Sequence, residues 1–284
     1  MNKRYLQDDI SRAADEELNS LRSLPRPVYG HAQGLPNRAI GYRHSHAWDQ
    51  LSYAMQGIIE VSTDTGRFVA PPSYAIWIPA GMPHGVQCSR DTEIRSLYIE
   101  PASIAAIASI ALNADAEDDV GKEGKCRVLV VTPLMRELIR RFADIPVEYD
   151  VNGADGRLVA VLLDQLACAP EAGMYLPWPQ DARLRKVCTY LQARPESQKN
   201  LADFGNEFGM SERTLIRLFL QQTGLSFRLW RQRARLLSAL PLLEQGQRVT
   251  DVALACGYDS MSAFIAAFRD QMGVTPGEFA MSRT

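Results

Sequence analysis

Gly209-Met210-Ser211-Glu212-Arg213-Thr214-Leu215-Ile216-Arg217-Leu218-Phe219 and Gly257-Tyr258-Asp259-Ser260-Met261-Ser262-Ala263-Phe264 are two copies of one pattern. At an offset of 49, Ser211 meets Ser260, Leu215 meets Phe264, Phe219 meets Phe268, Gly224 meets Gly273 and Leu225 meets Val274. The leading glycines are 48 apart, so the second turn is one residue longer. Such register marks a duplicated supersecondary unit. In the first copy Asn200 is placed to cap a helix over Leu201–Phe208, Gly209 supplies the turn, and Ser211 caps a helix ending near Gly224. In the second, Thr250 is expected to cap Asp251–Cys256, Gly257 makes the turn, and Ser260 caps a helix ending at Gly273. Two short helices about a glycine turn form a helix-turn-helix, whose second helix can enter a DNA major groove. A long helix over Ser226–Gln245 joins the copies, and Pro241 should kink it or end it early.

On the first recognition helix Leu215, Leu218 and Phe219 share one face, while Arg213, Ile216 and Arg217 share the other. Arginine pairs bidentately with guanine edges, worth ~1–3 kcal/mol of discrimination per good contact. The matching positions of the second helix, Met261, Ser262, Ile265 and Ala266, offer little hydrogen bonding. An asymmetric reader follows. The first unit supplies most base specificity, with Ser211 at its entry. The second reads thymine methyls and groove shape, and anchors phosphates through Ser260 and Ser262.

Residues 181–284 closely resemble the DNA-binding domain of the AraC/XylS family of transcriptional regulators. The stretch Gly209–Phe219 resembles the family's first recognition helix. Ala253-Leu254-Ala255-Cys256-Gly257-Tyr258-Asp259-Ser260-Met261-Ser262-Ala263-Phe264 and Phe268…Gly273-Val274-Thr275-Pro276-Gly277-Glu278-Phe279 resemble its C-terminal signature. The sequence departs where Met261 replaces a proline or another small or polar residue, Ala234 a leucine and Gly205 an alanine. Gly205 should cost ~1 kcal/mol of helix stability. The resemblance implies two units bound to successive major-groove segments on one face of promoter DNA.

The whole chain of 284 residues is long enough for about two domains. Apolar residues at 46% and charged residues at 23% exclude a disordered or fibrous protein. Net charge is −2, yet residues 181–284 hold 14 basic against 10 acidic side chains, leaving the acidic excess on the remainder. Arg228, Arg231, Arg233 and Arg235 crowd together, as expected where one domain meets phosphate. The longest apolar run, Ala102–Leu112, is too short to cross a membrane. A charged start and five scattered cysteines, read as buried reduced thiols, predict a cytoplasmic protein without a membrane partner.

The fold class expected is α+β, a cupin-like barrel followed by an all-α domain. Leu6–Leu21 has helical spacing, giving a helical extension over 1–24. Short runs punctuated by Gly and Pro place the barrel at 25–100. Residues 101–170 read as helical and as a candidate dimerisation region, 171–180 as a linker around Pro170 to Pro179, and 181–284 as the DNA-binding domain.

All four histidines, His31, His44, His46 and His84, lie in the first 84 residues. On a strand the spacing of His44 and His46 puts both imidazoles on one face. His84 closes Pro79-Ala80-Gly81-Met82-Pro83-His84. Three imidazoles with Gln50 as oxygen ligand could enclose Zn, Ni, Fe or Mn. The pattern is similar to the cupin signatures His-x-His-x₃-Glu and Pro-x-Gly-x-x-His, with Gln50 in place of the glutamate and Cys88 where asparagine is common. Three readings stand side by side. One is a metal site; another is a pocket for a small organic effector walled by Trp48, Tyr53 and Trp77. The third is an interior whose histidines bind nothing. The resemblance implies a DNA-binding regulator sensing a small effector or metal, acting on RNA polymerase if it activates, and able to pair as a homodimer. The alternative is a metal-dependent cupin enzyme, of dioxygenase or isomerase type, fused to a DNA-binding module.

Overall fold

The computed structural model describes residues 23–30, 42–89, 92–103 and 124–281. The helix expected over Leu6–Leu21, His31 and most of Ala102–Leu112 lie outside the described residues. The chain separates into two compact units. One comprises the residues up to Thr63 and Phe68–Ala172; the other comprises Gly173–Thr284 with Asp64–Arg67.

Among the described residues, eight strands lie between Val28 and Val130: β1 (Val28–Tyr29), β2 (Asp49–Gln56), β3 (Ile59–Thr63), β4 (Gly66–Ala70), β5 (Tyr74–Ile78), β6 (His84–Cys88), β7 (Glu93–Ile99) and β8 (Arg127–Val130). One sheet runs β1-β7-β2-β5-β8; β6, β3 and β4 lie side by side in a second. The pairings of β2 with β5 and β7 are antiparallel, with Gln50 opposite Ile78 and Tyr98, and Ser52 opposite Ile76 and Ser96. Because side chains alternate along a strand, these residues share one face and Leu51 and Tyr53 point to the other. That other face, carrying Leu51, Tyr53, Ala75, Trp77, Leu97 and Leu129, is covered by α1 (Pro133–Phe142) and α2 (Ala154–Ala167) through Met135, Ile139, Leu162 and Leu166. Buried on both faces, β2 reads as a nearly continuous apolar run, Leu51 to Met55 broken by Ser52.

Two features differ from the sequence expectation. The stretch 101–170 is not purely helical, because β8 pairs with β5 and completes the first sheet. Its adjacent Val128 and Leu129, on opposite faces, are both almost fully buried, and the strand is only four residues long. Cysteines are not uniformly buried either: Cys168, just past the end of α2, is exposed and Cys88 is half-buried.

The second unit contains β9 (Tyr175–Pro177), α3 (Ala182–Ala193), α4 (Leu201–Phe208), α5 (Glu212–Thr223), α6 (Phe227–Glu244), α7 (Val249–Ala255), α8 (Met261–Met272) and α9 (Pro276–Met281). The expected linker is therefore structured. Met174 and Leu176 are fully buried, and the Trp230 indole donates to the Pro177 carbonyl at 2.9 Å. The duplication is visible atom by atom. Ser211 and Ser260 each accept from the amide three residues on, at 3.2 Å in both copies. Leu215 and Phe264, and Phe219 and Phe268, are fully buried equivalents, and Gly224 and Gly273 both end their helices in the left-handed conformation. Asn200 and Asp203 form a reciprocal capping box at α4.

Two local expectations are corrected. Thr250 is not the cap of α7. The helix begins at Val249 behind Arg248, which makes no side-chain cap bond, so Thr250 sits within the first turn. Pro241 does not end α6 early, since the helix runs on past it to Glu244 although proline supplies no amide to the ladder. No helix among the described residues is long and apolar enough to cross a membrane.

Candidate sensor and DNA-reading sites

In the first unit the structure brings His44, His46 and His84 together. Each can present a ring nitrogen within 4.8 Å of the others, and all three are buried. The two-residue spacing works outside a regular strand: His44 forms an isolated antiparallel bridge with His84, and His46 precedes β2. His44 N donates to His84 O at 2.9 Å, and His84 N donates back to His44 O at 2.8 Å. The loop carrying His84 is fastened to the first motif. Asp49 accepts from Ala80 N at 2.9 Å and Gly81 N donates to His46 O at 2.7 Å. Burial raises the Asp49 carboxyl above its ordinary range, against the lowering effect of that Ala80 amide.

The hydrogen bonds select one tautomer for all three rings. His44 Nδ1 faces Tyr42 O at 3.2 Å, His46 Nδ1 faces Trp48 O at 2.7 Å, and His84 Nδ1 faces Met82 O at 2.8 Å. A carbonyl only accepts, so each Nδ1 carries the proton and each Nε2 of a neutral ring carries a lone pair. Burial, and next the neighbouring His44, push the His84 imidazole down to about 3, so it is neutral at pH 7. Its Nε2 is buried with no hydrogen-bond partner. Backbone carbonyls that pin one ring nitrogen while the other stays basic are what a metal-binding histidine requires.

Gln50 stands beside the cluster. Its Oε1 lies 2.9 Å from His46 Nε2, and its Nε2 donates to the Ser96 hydroxyl at 3.3 Å. A neutral His46 protonated on Nδ1 cannot donate to that oxygen, so the neutral ring calls for the amide turned end for end, its NH₂ against Nε2 and its oxygen accepting from Ser96. Gln50 thus occupies the lone pair that a metal would use, and would have to turn to release it.

The aromatic candidates separate. Trp48 packs with Tyr98 and Leu24, and Tyr98 meets the His46 ring edge-on at 5.3 Å. Tyr53 and Trp77 do not join the histidines. They sit at the opposite parity to Gln50, in the core under α1 and α2, where the Tyr53 hydroxyl donates to Pro72 O at 2.9 Å. The sequence reading missed Ser52 and Tyr98, which share the face of Gln50. Counting by twos from Gln50 would have found Ser52, whose hydroxyl is buried without a partner.

In the second unit α5 exposes the side chains that the sequence singled out. Arg213 and Arg217 are exposed, Ile216 is 50% exposed, and Glu212, Arg213, Thr214, Ile216 and Arg217 line one open hollow. Arg217 has only a 3.4 Å contact to Gln221 Oε1, so its guanidinium is available. On α8, Met261 and Ser262 are exposed and Ile265 is half-buried. The hydroxyls of Ser211 and Ser260 are engaged as caps. The arginine crowd on α6 is not a phosphate-facing patch. Arg231, Arg233 and Arg235 turn inward onto backbone carbonyls, leaving Arg228 exposed.

Residues 27–166 match the AraC-like ligand binding domain family, and residues 204–282 match a helix-turn-helix domain family. The HTH-type transcriptional regulator NimR of Escherichia coli (strain K12) is 34% identical over 236 residues, covering 83% of this chain and 81% of that protein. The HTH-type transcriptional regulator RipA of Corynebacterium glutamicum is 37% identical over 103 residues, 36% of this chain and 31% of that protein. Among solved structures, a DNA-binding transcriptional dual regulator from Escherichia coli K-12 matches at 30% identity over 37% of this chain and 94% of that one, with a TM-score of 0.34.

Proposed function

The chain belongs to the AraC family of helix-turn-helix transcriptional regulators, and on that premise we propose that its β domain is a metal receptor whose occupancy alters binding to operator DNA. His44, His46 and His84 are the ligands. The observation that carries this reading is the bare, buried Nε2 of His84, beside two rings with the same tautomer. Burying a hydrogen-bonding nitrogen without a partner is costly, and a metal ion would remove that cost. Metal–nitrogen bonds of about 2.0–2.1 Å require the three nitrogens to draw together. A neutral, imidazole-rich set without a carboxylate suits Zn or Ni better than Mn.

A small organic effector is the second reading, favoured by the unpartnered Ser52 hydroxyl on the Gln50 face. Metal content of full-length protein purified without a histidine tag decides between them. Near-stoichiometric Zn or Ni, lost in His84→Ala while the fold persists, is expected. Protein that stays metal-free after challenge with Zn, Ni, Fe and Mn would overturn the metal reading and leave the organic one.

For the second unit, we propose that Arg213, Ile216 and Arg217 read bases in the major groove of double-stranded promoter DNA. Met261, Ser262 and Ile265 contact a second segment more through methyls and shape, and the cap hydroxyls of Ser211 and Ser260 lie at the phosphate-facing entries of their helices.

A further inference from the structure

Two of the inward arginines form a node that joins the two helix-turn-helix copies. Arg231 and Arg235 lie one turn apart on α6, and both grasp Pro195–Lys199, the segment that leads into α4. Arg231 donates to Lys199 O at 2.8 Å and to Ser197 O. Arg235 donates through Nε to Pro195 O at 2.9 Å and through Nη2 to Ser197 O at 3.1 Å. Lys199 directly precedes Asn200, the cap of α4. The segment held by the guanidinium groups is therefore the one that sets where the first copy begins.

Arg235 also reaches the second copy. Its guanidinium carbon lies 5.9 Å from the centroid of the Tyr258 ring, which packs against Phe264 of α8 at 5.2 Å. Gly257, at φ +76°, is pressed so close that a Cβ there would lie 2.8 Å from Arg235 Nη2, Glu196 Cα and Pro195 O alike. The turn of the second copy thus rests on the segment entering the first, with one guanidinium between them. A planar fork of donors can satisfy several carbonyls in fixed directions, which a lysine ammonium cannot do.

We propose that Arg235, supported by Arg231, is a positioning residue that fixes the distance and rotation between the two recognition helices, and so makes the protein selective for the spacing of its two operator segments. It touches no DNA on this account. Its effect arises because two preset reading heads engage together without the ordering cost that mobile heads would incur. One inserted base pair rotates the second segment by roughly 34° about the duplex axis, from 10–10.5 base pairs per turn. A locked pair of heads cannot follow that change, whereas an unlocked pair can.

The test begins with an operator selected from random duplex DNA by the full-length protein. Affinities are then measured for that operator, for versions with one base pair inserted or deleted between the segments, and for a duplex keeping only the first segment. Wild type should lose roughly tenfold or more on a one-base-pair change, in the range of a lost base contact. Arg235→Met should shrink that penalty to less than about threefold while binding the single-segment duplex as wild type does. Arg235→Lys should fall between them, and it is read by the same criterion if the Met variant unfolds below the assay temperature. A spacing penalty equal to that of wild type, or a loss equal on every duplex including the single segment, would overturn the proposal. The wild-type selection reports on DNA reading itself; the spacing penalty reports on Arg235 alone.

Discussion

Arginine does two different jobs in the second unit, and the side chains alone do not say which. Arg213 and Arg217 point from α5 into solvent, whereas Arg233 donates to Tyr175 O at 3.2 Å with its guanidinium carbon 5.4 Å from the Tyr175 ring centroid. Burial pulls the Arg233 guanidinium below its ordinary pKa. Arg217→Ala is expected to weaken operator binding by ~1–3 kcal/mol and to relax preference at one base pair. Arg233→Ala should instead cost ~1–3 kcal/mol of stability through the orphaned carbonyl and lost packing, with base preference intact. Binding titrations at fixed salt and thermal unfolding of both variants check the pair; a base-preference change in Arg233→Ala would contradict the assignment. The charge count over 181–284 could not make this distinction, because backbone carbonyls, the partners of the inward arginines, leave no mark in a sequence. The histidines were legible for the opposite reason. Their spacing and the Pro-Gly-His turn are written in side chains, and only the tautomers needed the structure.

At the level of elements, what the sequence conveyed well was whatever repeats or caps. Ser211 and Ser260, Gly224 and Gly273 and the buried Phe219 and Phe268 all stand where a 49-residue offset puts them. What it conveyed poorly were short strands held by distant partners. β8 joins the sheet from beyond residue 124, and β9 contains only Tyr175, Leu176 and Pro177, so neither is long enough to show a period of two. Tyr53 and Trp77, candidate pocket walls by residue type, lie at the opposite parity to Gln50 and pack under the helices. Gly205 shows how an element's context reverses a propensity. Its carbonyl accepts from Met210 N at 2.9 Å, and a Cβ at this position would lie 2.5 Å from Met210 O. The equivalent Ala253 accepts from Tyr258 N, also five residues on, and there the second copy carries a methyl. Propensity alone promises about 1 kcal/mol of gain from Gly205→Ala. Overpacking against fixed backbone costs about 1–3 kcal/mol and should win. The expected result is a net loss near 1 kcal/mol, a fall in Tm of about 4 °C or more. A rise in Tm on thermal unfolding of the variant would show that the turn can relax.

Across the whole molecule, two units of opposite charge bias must influence one another through free energy if the protein is a sensor. Residues 181–284 carry a basic excess and the remainder an acidic one. A three-histidine site that merely staples the β domain would also bind metal and raise its Tm, by ~2.7 kcal/mol of stabilisation at a hundredfold excess over Kd. Stabilisation therefore does not separate a structural ion from a sensory one, but linkage does. If metal changes operator affinity by some factor, operator must change metal affinity by the same factor, because both ratios describe one closed cycle. Couplings of this kind fall around 1–3 kcal/mol, about 5- to 150-fold. The expected outcome is that Zn or Ni affinity, measured by competition with a chelator, shifts by that factor when saturating operator DNA is added. The shift should match the one seen when operator binding is titrated with and without metal. In Gln50→Glu, whose carboxylate is a stronger ligand than the amide that now holds His46, metal affinity should rise while the coupling factor stays the same, since the coupling depends on the difference between the two states of the chain and not on absolute affinity. Equal metal affinity for the free and the DNA-bound protein, alongside a raised Tm, would make the histidine cluster a structural site and direct the search for the effector to the unpaired Ser52 hydroxyl.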